Sequence, residues 1–194
     1  MKKHILYPIL IAQSVFLLLL PWMGMLTRYL HPAAYLMINL VLTLLTFILF
    51  AFALRIRYNV RPVFFHLGFL AYSFSMLFLL IIRSGSFGAR TANWTPLRTI
   101  ELYVYSDMPF MIRLYNLAAN VGLFIPFGVY LMYVCSTWRV RIGISVAAIW
   151  VIETTQYVTA RGSLDIDDFI LNMMGVCIGF IVAPILKKRF VWSS

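Results

Sequence analysis

Two carboxylate–amide pairs at helical spacing stand out in this sequence. Glu153 and Gln156 are three residues apart, and Asp168 and Asn172 are four apart. Side chains three or four apart share a helix face, so each pair presents one polar surface. Asn120, in a separate apolar run, adds a third amide. Glu153 lies within the apolar run 141–160. An ionised carboxylate at that depth in a bilayer costs about 2–3 kcal/mol on insertion scales. It must therefore face a bundle interior or a wet cavity, either against Arg161, Arg113 or Arg98 or carrying a proton.

Three kinds of chemistry fit these residue types. Asn120, Gln156 and Asn172 can hydrogen-bond a ligand, while Arg98, Arg113 and Arg161 can clamp a phosphate bidentately. Glu153 can act as a general acid or base. Asp165 and Asp168 offer the hard oxygens that a divalent cation takes, although the D-x-x-D spacing is a weak metal signal. No cofactor is expected beyond that weakly supported cation. No Ser-His-Asp set or other activated nucleophile is present. Structural roles compete with each of these. Asp165 suits the N-cap of a helix and Asp168 its N3 position. Asn120 and Asn172 can bind helices together beside Gly122, Gly128, Gly175 and Gly179. Glu153 and Arg161 can form a structural ion pair.

The elements that must position these residues are apolar runs. The chain has 194 residues, 63% of them hydrophobic and 11% charged, outside the range of soluble domains. The runs predict one all-α integral membrane domain over 1–194, with helices at 5–26, 34–54, 62–82, 114–135, 141–160 and 168–186. The runs are continuous rather than alternating, which excludes a β-barrel. The first lacks a small-residue cleavage site and reads as a retained span. Cys135 and Cys177 have no C-x-x-C spacing and sit in apolar runs as small fillers.

Basic loops orient the spans. With both termini cytoplasmic, ten Lys and Arg residues fall on the inner side, including Lys2, Lys3, Arg55, Arg57, Arg61 and Lys187–Arg189, and six on the outer side. All six acids (Glu101, Asp107, Glu153, Asp165, Asp167 and Asp168) then fall in the outer half. The net charge of +10 belongs to the cytoplasmic face, opposite anionic lipid, and is not read as a nucleic-acid site. The outer segment 83–113 suits an interfacial or re-entrant piece. At 1.5 Å per residue, Asn120, Glu153, Gln156 and Asn172 lie roughly 4–9 Å outward of the midplane. Glu101, Asp107 and Asp167 read as solvated charges.

The segment Asn120-Val121-Gly122-Leu123-Phe124-Ile125-Pro126-Phe127-Gly128 resembles the N-x-x-x-F-x-P-x-G motif of VanZ-like membrane proteins. Glu153-Thr154-Thr155-Gln156 resembles that family's E-x-x-Q. Arg161, Asp165, Asp168, Asn172 and Gly175 resemble its R…D-x-x-D-x-x-x-N-x-x-G. Asn93-Trp94-Thr95-Pro96-Leu97-Arg98-Thr99-Ile100 is similar to its N-L-I-P-F-x-T-I segment, with Trp94, Thr95 and Leu97 substituted. The resemblance covers a core at 93–186. It implies a bacterial plasma-membrane protein of the cell envelope, associated with resistance to teicoplanin, a lipoglycopeptide. The partners expected on this reading are membrane lipids and a lipid-linked cell-wall precursor or a lipoglycopeptide, with no nucleic acid. A membrane enzyme on a lipid-linked substrate is the alternative. A transporter is disfavoured because no inverted repeat is found and the polar site lies off the midplane.

Overall fold

A computed structural model describes residues 2–27, 33–82, 92–98, 101, 105 and 110–192. Six helices run through them: α1 (Lys2–Thr27), α2 (Ala33–Ala53), α3 (Pro62–Ile82), α4 (Phe110–Val134), α5 (Trp138–Val158) and α6 (Ile166–Lys187). Every end lies within four residues of the apolar run that predicts it. The protein is thus an all-α membrane protein. Most of the segment 83–113, where an interfacial or re-entrant piece is expected, lies outside the described residues.

At 1.5 Å per residue, even the shortest of these helices is about 30 Å long, enough to cross the hydrocarbon of a bilayer. Five are also apolar enough: α1, α2, α3, α4 and α6. The sixth expected span, α5, has 21 residues. Arg139, Arg141, Glu153 and Gln156 lower its hydropathy, so it departs from expectation in composition and not in length. Large apolar side chains face outward, with Leu18 74%, Phe74 71% and Ile181 71% exposed. Lipid is the solvent in which such a surface is stable, and helices satisfy their own backbone groups there.

The chain forms two compact units, residues 1–83 with 185–194 and residues 84–184. In the first, α1 and α2 are joined by a reciprocal amide pair. The Asn39 Nδ2 donates to Gln13 Oε1 at 2.9 Å and the Gln13 Nε2 donates to Asn39 Oδ1 at 3.3 Å. Pro8, inside α1, has no N–H for the carbonyl four residues back, that of His4. The Tyr58 hydroxyl donates to that carbonyl instead, at 2.8 Å. Tyr58 opens a short strand, β1 (Tyr58–Val60), which pairs in parallel with β4 (Phe190–Trp192). Tyr58 and Phe190 stack with ring centroids 5.4 Å apart.

The second unit holds α4, α5 and most of α6. A second parallel pair, β2 (Ala92–Asn93) with β3 (Leu164–Asp165), sits at the start of α6, with Asn93 opposite Asp165. Glycines set how closely α4 and α6 approach. A Cβ built on Gly175 would overlap the Val121 carbonyl oxygen. One on Gly179 would overlap that of Ile125, and one on Gly128 that of Val176. Gly175-x-x-x-Gly179 is the small-residue spacing that lets two membrane helices touch backbone to backbone. The contacts advance together along both helices, so α4 and α6 run in the same direction. α5 runs the other way. Near one end of α5, Trp138 meets Phe180 edge to face at 5.3 Å, and near the other Glu153 meets Asn172.

Candidate functional site

The buried face of α5 repeats at helical spacing through Arg141, Ser145, Ile149, Ile152 and Glu153. Glu153 is therefore carried inward on the same stripe as the fully buried Ile149, and only 3% of it is exposed. At the opposite end of the stripe the Arg141 guanidinium binds the Cys135 carbonyl through Nε at 3.0 Å and Nη2 at 2.6 Å. It also lies over the Trp138 ring. α6 does likewise, burying Asp167, Leu171, Asn172, Gly175, Val176 and Gly179.

A tight turn joins the two helices. The Arg161 N–H reaches back to the Gln156 carbonyl and the Ala160 N–H to that of Tyr157, with Ala160 at φ 53°. This is the left-handed cap that closes many helices. Asp165 then caps α6: its Oδ1 accepts the Asp167 N–H at 2.9 Å, as the sequence predicts for an N-cap. Asp168, at the N3 position expected for it, accepts from the Asn120 side chain across the α4–α6 seam. The glycines bring α4 close enough for that bond.

Three asparagines thus each donate to one acid. Asn93 binds Asp165 at 3.1 Å, Asn120 binds Asp168, and Asn172 binds Glu153 at 3.1 Å. The β2–β3 register places Asn93. Its own Oδ1 accepts the Thr95 N–H at 3.2 Å and so turns the chain after it. Two residues on, Leu97 adopts φ 69° and its N–H binds the Asp167 carboxylate. Beside this turn Trp94 lies against Trp150, which meets Phe169 of α6.

The structure therefore gathers Asn120, Glu153, Asp165, Asp168 and Asn172 into one network. Gln156 and Arg161 flank it half-buried, each with partners of its own, while Arg98 is exposed. One expectation is narrowed and one is corrected. Among the described residues the partner of Glu153 is an amide and not an arginine. Two charged groups near it, Asp168 and Asp165, have the same sign. The Arg113 side chain and Asp107 lie outside the described ones. Asp167, read as a solvated charge, is fully buried. Nothing in Asp165-Ile166-Asp167-Asp168 reveals this, because the N–H that it serves comes from a segment 70 residues away. Asn93 had a signal, its place in the N-x-x-P-like segment.

No group of three or more His, Cys, Asp or Glu that could hold a metal occurs among the described residues. The Oδ1 atoms of Asp165 and Asp168 already accept side-chain amides. Glu153 Oε2 and Asn172 Oδ1, in contrast, are buried with no hydrogen-bond partner. A buried polar atom without a partner costs about 1–3 kcal/mol. An amide oxygen accepts, and so does a carboxyl oxygen that carries no proton, so a donor such as a hydroxyl or an ammonium complements the ionised pair.

Against known proteins, the family model described as VanZ/LLP1 matches residues 64–187, more than half of the chain. No curated protein and no solved structure matches.

Proposed function

The chain belongs to the VanZ/LLP1 family, and from that premise we propose that its acid–amide network is an outward-facing site for a cell-envelope amphiphile. The ligand is a lipid-linked cell-wall precursor or a lipoglycopeptide of the teicoplanin type. Binding alters the drug's access to its target and so contributes to resistance. On this reading the protein is a multi-pass protein of the bacterial plasma membrane with both chain ends in the cytoplasm.

One observation carries the reading: Glu153 Oε2 and Asn172 Oδ1 are two adjacent residues' buried acceptors with no donor. Hydroxyls and amines, abundant on sugars and glycopeptides, are the groups that satisfy them. The aromatic run Trp94–Trp150–Phe169 beside the network suits an amphiphile's apolar part.

The test uses purified protein in nanodiscs, titrated with teicoplanin and with a lipid-linked sugar precursor. Glu153→Gln keeps an acceptor oxygen and retains binding. Glu153→Leu and Asn172→Leu weaken it about tenfold or more, the equivalent of one lost buried hydrogen bond. If both leucine variants bind like the parent protein, the site lies elsewhere.

The same free oxygen favours a second reading, a membrane enzyme on a lipid-linked substrate with Glu153 as general acid or base. Glu153→Gln separates the two readings. A binding site survives it, whereas an enzyme binds substrate and no longer turns it over.

A further inference from the structure

The unit formed by residues 1–83 and 185–194 contains ten Lys and Arg side chains and no Asp or Glu. No acidic side chain within that unit can neutralise them, so most of their counter-charge comes from outside it. The β1–β4 pairing concentrates several of them. It lays Arg55 and Arg57, which lead into β1, alongside Lys188 and Arg189, which lead into β4. The Tyr58 N–H bonds the Arg189 carbonyl at 2.7 Å, and Arg189 Nη1 donates to the Arg55 carbonyl at 3.2 Å.

The Arg189 guanidinium is held in place by more than that bond. It lies over the Phe52 ring, 5.5 Å from the centroid. Its Nε is buried with no hydrogen-bond partner. Arg55, Arg57 and Lys188 are exposed. Beside them an aromatic group, the Tyr58–Phe190 stack with Phe65 and Trp192, provides the amphipathic rings typical of the headgroup level of a bilayer.

We propose that Arg55, Arg57, Lys188 and Arg189 form a binding site for the phosphate of an anionic phospholipid. The fixed guanidinium of Arg189 positions the headgroup. The three exposed cations complete its neutralisation, and the acyl chains lie along the apolar helix surfaces next to the strand pair. The site shares no residue with the acid–amide network, so it stands independently of the function proposed above.

The experiment titrates detergent-solubilised full-length protein with a fluorescent short-chain phosphatidylglycerol, read by anisotropy. Competitors are unlabelled phosphatidylglycerol, phosphatidylcholine and inorganic phosphate. Unlabelled phosphatidylglycerol displaces the probe, and the other two do not at the same concentration. Arg57→Gln with Lys188→Gln, two exposed changes that break no bond among the described residues, weakens the probe about tenfold or more. Arg57→Lys with Lys188→Arg restores it, and Arg139→Gln in the other unit leaves it unchanged. Unaltered affinity in the glutamine variant overturns the site. Equal competition by phosphatidylcholine overturns its anionic selectivity. Displacement by inorganic phosphate overturns the assignment to a lipid.

Discussion

Asn172 and Glu153 depend on each other in a way that a stability measurement can read. Asn172 Nδ2 is the side-chain donor to Glu153 among the described residues. Asn172→Leu strips the buried carboxyl of that bond, and the expected loss is about 1–3 kcal/mol. Adding Glu153→Leu removes the orphaned group as well. Replacing both partners by apolar groups is far cheaper than removing one, so the double variant recovers most of the loss. Denaturation in detergent, followed by circular dichroism over the four-member cycle, checks this. At this scale the sequence revealed types better than partners. It marked Glu153, Asn120 and Asn172 as polar residues that an apolar run does not tolerate without a reason. It offered Glu153 an arginine or a proton, the two remedies for a buried carboxylate, whereas the fold supplies an amide from α6. Asp167 was illegible because three acids in four positions at a helix start are alike until a distant N–H selects one.

Helix existence was legible because each apolar run is long and bounded by charge or turn residues. Helix pairing was legible only through glycine. Gly175 and Gly179 have the spacing of a close contact, and the structure assigns them to α4. Substitution should separate glycines that matter from those that do not. Gly175→Ala places a methyl group into the Val121 carbonyl, in backbone that cannot yield. It should cost more than about 2 kcal/mol, in the range of an overpacked core, and loosen the Asn120–Asp168 bond across the same seam. Gly122→Ala meets nothing within 4 Å. It should be neutral or stabilising by up to about 1 kcal/mol, the propensity difference between the two residues. Thermal unfolding of the two variants decides it. The strand pairs could not be read from sequence. β2 and β3 have two residues each, too few to show alternation, and they join segments some seventy positions apart.

For the whole molecule, the proposed topology yields a labelling experiment. With both native cysteines replaced, a cysteine at Glu101 should react with a membrane-impermeant thiol reagent added to intact cells. One at Arg57 should react only after permeabilisation. Both positions are exposed, so a lack of labelling reports sidedness and not burial. The reverse pattern inverts the molecule and moves the acid–amide network to the cytoplasmic side. Charge asymmetry made this prediction possible from sequence, since acids and most bases segregate along the chain.

The seam between α4 and α6 also has a consequence for biosynthesis. Chains are made from the N-terminus, so α4 enters the bilayer while its mate has not yet been translated. Until then the Asn120 amide has no Asp168, and the faces of Gly128 and Val121 lack the α6 backbone that covers them. α4 must wait through the whole of α5 for the partner that runs parallel to it. A ribosome stalled between α5 and α6 would leave a bundle with an unpaired polar group in the membrane, the kind of flaw that quality-control proteases recognise.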